Sequence, residues 1–243
     1  DPKEEPIPVV PTCHYAMGGI PTDEDGHVEW RERGTSVPGL YAVGECACVS
    51  IHGANRLGTN ALLELVVFGR RAGMQMAKEV KQGKDFAPLP EEPEQETRDM
   101  LDNLLSNSGG EPIVKVRSEL QETMMDNVSV FRTDDTLSTA LDDIAQLRSR
   151  AENVVVEDKG TRFNTDLMDA VELGYMMDYA EAIAACARHR TESRGAHSRE
   201  DYDERNDDEW LKHILYESDC EGDYEFNDKD VVITRFEPKE RNY

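Results

Sequence analysis

A chain of 243 residues, 38% hydrophobic and 32% charged, is long enough to bury one large or two modest cores. Acidic residues outnumber basic ones 51 to 27, and the formal net charge of −24 argues against nucleic acid or an anionic bilayer as a direct partner, since both would be repelled. No apolar run approaches the ~20 residues of a spanning helix, and the five cysteines, odd in number and without C-x-x-C spacing, give neither a disulfide framework nor a metal site, which fits a reducing compartment.

The first region, residues 1–82, is rich in Gly and β-branched residues. Pro2, Pro6, Pro8 and Pro11 make its entry extended, and His14-Tyr15-Ala16-Met17-Gly18-Gly19-Ile20 follows. Gly26 interrupts Thr22 to Trp30, which predicts a turn between short strands. Pro38-Gly39 predicts a turn before a strand over 40–43. That strand ends at Gly44-Glu45, and Ser50-Ile51-His52-Gly53-Ala54-Asn55-Arg56-Leu57-Gly58 forms a polar turn. A helix begins near Thr59; from Ala61 to Phe68 it is apolar almost all round, so burial on most sides is expected.

Residues 83–111, with Pro88, Pro90 and Pro93 among several Glu, read as a linker holding one short helix that ends near Gly109-Gly110. Residues 112–190 read as an antiparallel helical bundle. Its first helix starts either at Pro112 or at the capping-box spacing Ser118 to Gln121. Leu137, Ala140, Leu141, Ile144, Leu147 and Ala151 recur at helical spacing, as do Leu173, Met176, Ala180, Ile183 and Ala187 after the start signal Asn164-Thr165-Asp166. Residues 191–243 turn polar and carry one expected strand over 231–236.

Several residues suit a site. Arg56 sits among small residues between strand and helix, where a guanidinium can grip a carboxylate through two parallel hydrogen bonds or form a surface ion pair. His14 lies beside Gly18-Gly19, and His52 four residues before Arg56; each can equally be structural. Glu45, at the end of a strand, fits a ligand hydroxyl, a helix cap or an ion pair.

Together these motifs resemble the flavoprotein subunit of succinate dehydrogenase and fumarate reductase. The resemblance also rests on Glu192-Ser193-Arg194-Gly195-Ala196-His197-Ser198-Arg199, on Arg205-Asn206-Asp207-Asp208-Glu209-Trp210 and on the ending Phe236 to Tyr243. It implies a Rossmann-like FAD domain, of which this chain would hold the C-terminal half, then the bundle and a small α+β tail that docks on the rest of the flavoprotein. It also implies that His14 and Arg56 bind the dicarboxylate and that Glu45, Ala61 and Leu62 bind FAD. Ala61 stands where the family usually has Ser, and Thr59 where it usually has Gly.

The implied reaction is the interconversion of succinate and fumarate. Electrons would pass to or from an iron–sulfur subunit, and membrane-anchor subunits would hold the complex at the cytoplasmic face of the cell membrane. The pyrophosphate-binding G-x-G-x-x-G is absent here, so the phosphate site and the proton-relaying arginine of the family are expected upstream. A chain that acts only as a binding or assembly module is the rival from outside enzymology. L-aspartate oxidases share the first two motifs but not the Ser-Arg-Gly-Ala-His stretch in this form. The acidic excess, spread along the chain with few Lys, suggests a protein that works at high salt.

Overall fold

The computed structural model describes residues 3–8, 13–30, 35–81, 88–219 and 223–239. Pro2 and Pro11, the beginning of the expected linker, Cys220 and the last four residues lie outside them. The chain divides into two units. The first comprises Asp1–Lys84, Arg194–Ala196 and Lys229–Tyr243; the second comprises Asp85–Ser193 and His197–Asp228.

In the first unit, β1 (Ile20–Pro21), β2 (His27–Glu29), β3 (Ser36–Tyr41) and β4 (Ala47–Cys48) precede the long α1 (Asn60–Lys81). The β1–β4 pair is parallel, with Ile20 opposite Ala47, and the β2–β3 pair is antiparallel. The expected turn at Gly26 is present, closed by Gly26 N–H donating to Asp23 O at 3.1 Å. The expected turn at Pro38-Gly39 is not: both residues lie inside β3. His27 pairs with Tyr41 and Glu29 with Ser36, so two steps on β2 face five on β3, and Gly39 (φ 79°) sits within that bulge. The strand ends at Tyr41, not Val43.

Helix α1 departs from expectation. Only Ala61, Glu64 and Ala72 are buried, whereas Leu62, Leu63, Val66 and Val67 are exposed. One stripe of the helix packs on the Gly26 turn and Val43, where a Cβ on Gly26 would lie 3.0 Å from that of Ala72. The described residues supply no second layer for its other faces, so apolar sequence does not become burial here.

The second unit contains α2 (Gln95–Ser106), β5 (Glu111–Pro112), α3 (Ile113–Asn127), β6 (Phe131–Arg132), α4 (Asp134–Ala151), β7 (Val154–Val155), α5 (Thr165–His189), β8 (Ser198–Arg199), α6 (Asp207–Trp210), β9 (Lys212–Ser218) and all but the last two residues of β10 (Tyr224–Asp230). Its core is made by α3, α4 and α5, with Val116, Leu120, Leu137, Ile144, Leu173 and Met177 all but inaccessible. Helix α2 is the short helix expected near residue 109. It stops at Ser106, because Asn107 turns to an extended ψ of 122°, and its Leu104 and Leu105 pack against that core. Helix α3 begins after Pro112, so Ser118 is interior. Thr133 caps α4 through a reciprocal box with Thr136, and Asn164 caps α5 by accepting from Leu167 N–H at 2.8 Å.

The expected strand over 231–236 is absent; the longer strands of this region are β9 and β10, paired with each other. They are polar sequences joined by aromatic contacts, with Tyr216 and Tyr224 centroids 5.1 Å apart and Phe226 stacked on His189 at 4.1 Å. The Ser193–Arg199 stretch has a structural duty at the end of α5. Arg199 is 1% exposed; its Nη1 donates to the carbonyls of Ala187 and Arg188 at 3.1 and 3.0 Å, and its other edge grips Asp201. The last carbonyls of the helix are thereby satisfied by a buried cation. Among the described residues, no helix is long and apolar enough to cross a membrane.

Candidate functional site

Three stretches of the first unit converge. Residues 14–19 run beside residues 44–48, where Ala16 N–H donates to Glu45 Oε1 at 2.9 Å and Ile20 N–H donates to Cys46 O at 2.9 Å. The approach is close enough that a Cβ on Gly19 (φ 119°) would stand 2.5 Å from the Cys46 carbonyl oxygen, so only glycine fits there. Gly44 (φ 83°) turns the chain after Val43, and Glu45 emerges exposed.

The third stretch is the first turns of α1, which bring Glu64 under the Arg56 loop. Glu64 is 2% exposed. Its Oε2 accepts from the Tyr15 hydroxyl at 3.0 Å and lies 2.5 Å from His52 Nε2. The Tyr15 ring stands edge-on to His52, with centroids 5.6 Å apart, and carries the Arg56 guanidinium 4.7 Å from its centre. Burial, reinforced by the Glu64 carboxylate, pushes the Tyr15 hydroxyl up to about 12, so it keeps its proton and remains the donor.

The expected site residues thus fall as follows. His14 is exposed and directly precedes Tyr15; Arg56 is half-buried on the Tyr15 ring. The His14 and Arg56 motifs are joined through Tyr15, a residue the sequence did not single out. Glu45 is tied to the His14 segment by the Ala16 amide. Ala61 is buried, whereas Leu62 is 68% exposed and its N–H donates to Thr59 O at 3.1 Å. Glu64 was also missed, although it is the one acidic residue in the apolar run from Ala61 to Phe68.

A distant piece of chain backs the loop. Ala196 N–H donates to Ala54 O at 3.1 Å, and a Cβ on Gly195 (φ 60°) would come within 2.9 Å of the Ala54 carbonyl. The Arg194–Ala196 stretch therefore supports the turn that carries Arg56, two residues away.

These residues suit a flavin dinucleotide. Glu45 offers an exposed carboxylate to a hydroxyl, and the first turn of α1 has no acidic side chain to cancel its positive end.

Comparison with known proteins agrees with that chemistry. Residues 1–62 match the FAD binding domain and residues 117–243 match the fumarate reductase flavoprotein C-terminal model. The succinate dehydrogenase flavoprotein subunit of Rickettsia bellii is 42% identical over 237 residues, covering 96% of this chain and 40% of that protein. The fumarate reductase flavoprotein subunit of Escherichia coli is 42% identical over 248 residues, covering 100% of this chain and 40% of that protein. A solved quinol-fumarate reductase with menaquinol molecules superposes with a TM-score of 0.87 at 40% identity, over 98% of this chain and 41% of that one. The chain spans about 40% of the length of the curated relatives it matches. With more than half of its residues in the C-terminal model, it belongs to the succinate dehydrogenase and fumarate reductase flavoprotein-subunit family.

Proposed function

We propose that these residues form one wall of the active site of a flavoenzyme that interconverts succinate and fumarate. The observation that carries this reading is the Tyr15 bridge, which couples the His14 motif to the Arg56 guanidinium 4.7 Å above its ring. Arg56 takes one carboxylate of the dicarboxylate through two parallel N–H donors, and His14 takes a carboxylate from the neighbouring segment. Held between Arg56 and His14, the substrate is oriented for reaction, and the guanidinium stabilises negative charge that builds on a carboxylate during the step. FAD, when bound, supplies the two-electron chemistry. Glu45 would hold one of its hydroxyls, Ala61 and Leu62 would be flavin contacts, and the positive end of α1 would favour added negative charge on it.

The parallel β1–β4 pair followed by α1 supports reading residues 1–82 as the C-terminal half of a Rossmann-like FAD domain, ahead of a helical domain and a C-terminal docking segment. In the same reading the flavoprotein exchanges electrons with an iron–sulfur subunit. That subunit sits on membrane anchors, and the flavoprotein lies peripherally at the cytoplasmic face. Support for that assembly comes from the likeness to a quinol-fumarate reductase.

The test is Arg56→Lys in the complete enzyme. Lysine keeps the charge but loses the paired donors, so turnover is expected to fall about 10²-fold or more with flavin content unchanged. Wild-type turnover in that variant would remove Arg56 from the mechanism.

A further inference from the structure

We propose that Glu64 is a positioning residue for the dicarboxylate site, fixing the orientation of Arg56 through Tyr15 and His52. This rests on the reading of Arg56 as the carboxylate-binding group. Three features carry it: the position of Glu64, the separate stretches of chain it ties, and one unpartnered atom.

Glu64 lies on the inward stripe of α1, between buried Ala61 and half-buried Phe68, where a leucine would satisfy packing. A carboxylate there is costly unless its oxygens are hydrogen-bonded. A single oxygen, Oε2, meets both the Tyr15 hydroxyl at 3.0 Å and His52 Nε2 at 2.5 Å. Those donors come from two different stretches, the His14 segment and the Arg56 loop, and Glu64 itself comes from a third. One carboxylate therefore pins the two motifs that would bind substrate to helix α1.

The unpartnered atom is His52 Nδ1, which is buried without a hydrogen bond. Nε2 faces the Glu64 carboxylate, and the other ring nitrogen has no polar partner to hold it. The ring thus has one hydrogen-bonding anchor, Glu64, besides its edge contact with Tyr15. Removing the carboxylate releases His52 on one side and Tyr15 on the other. The guanidinium resting on the Tyr15 ring then loses the surface that aims it, although Glu64 makes no hydrogen bond to Arg56. Small displacements of a positioning group are enough to cost binding of an oriented ligand.

The experiment compares Glu64→Gln, Glu64→Asp and Tyr15→Phe in the complete, FAD-loaded enzyme. The expected result for Glu64→Gln is a KM for succinate raised about tenfold, with the inhibition constant of malonate, an unreactive dicarboxylate, weakened by the same factor. The fall in kcat should be much smaller, with flavin content unchanged. Tyr15→Phe should show the same split, and combining it with Glu64→Gln should add little, because both break one chain of contacts. Glu64→Asp should recover part of the affinity.

A merely structural role would lower the unfolding midpoint without changing KM in the enzyme that remains folded. Should Glu64→Gln fail to load FAD, Tyr15→Phe and Glu64→Asp still read the same constants. Wild-type KM and malonate affinity in the variants that load flavin, alongside an inactive Arg56→Lys, would overturn this proposal alone. An Arg56→Lys enzyme with wild-type turnover would instead overturn the reading on which it rests.

Discussion

Thr59 adopts φ 68° at the entrance to α1, a left-handed conformation that a β-branched side chain occupies only under strain. The resemblance had marked this position as one where the family usually has Gly, and the backbone gives the physical reason. Thr59→Gly is therefore expected to stabilise the protein by about 1 kcal/mol, the left-handed penalty less the extra freedom of glycine in the unfolded chain. Urea unfolding of the complete flavoprotein would measure it, and a loss of stability would mean that the Thr side chain makes a compensating contact. The site was legible at this scale only in part. Arg56, Glu45 and His14 stand out because a charged or polar residue among glycines has few structural reasons to be there. Tyr15 and Glu64 do not stand out, because their role exists only once three separated stretches meet.

At the scale of elements, periodicity located α4 and α5 well, since each buries a continuous stripe against the other. It failed where order comes from something other than an apolar pattern. The β9–β10 hairpin is joined by tilted aromatic contacts of Tyr216 with Tyr224 and Phe226, and Pro38-Gly39 disappear into a bulge. Beyond the end of α5, a polar run conceals a buried guanidinium, that of Arg199. That region also carries a pH signature. His197 Nδ1 accepts from Arg132 at 2.9 Å while its Nε2–H donates to Arg190 O at 3.2 Å, an arrangement that suits the neutral ring. Burial, with the Arg132 charge adding to it, holds His197 down to about 4 from 6.5. Between those values the unfolded chain binds the proton and the folded one does not, so stability falls as pH drops from 6.5 toward 4. Asp201, held at about 2 by its bonds to Arg199, gives up its share only below the ordinary carboxylate range. Denaturation midpoints measured from pH 7 to 4 should thus decline, and His197→Gln should flatten that decline. An unchanged slope in the variant would assign the effect to other groups.

For the molecule as a whole, the formal charge of −24 dominates. Self-repulsion of that size is relieved as the Debye length shrinks from about 10 Å at 0.1 M salt to about 3 Å at 1 M. Unfolding midpoints are accordingly expected to climb steeply from low to molar potassium chloride. A flat response would mean that self-repulsion of the acidic residues does not limit stability.

The outward side of α1 has a practical consequence. Leu62, Leu63, Val66 and Val67 form an oily ridge on an otherwise heavily anionic body. Such a two-faced particle resembles a surfactant: its charge keeps it dispersed at low ionic strength, while added salt removes that protection and leaves the ridge free to stick. Ionic conditions that steady the fold of these residues handled by themselves are therefore the same conditions that drive them to clump.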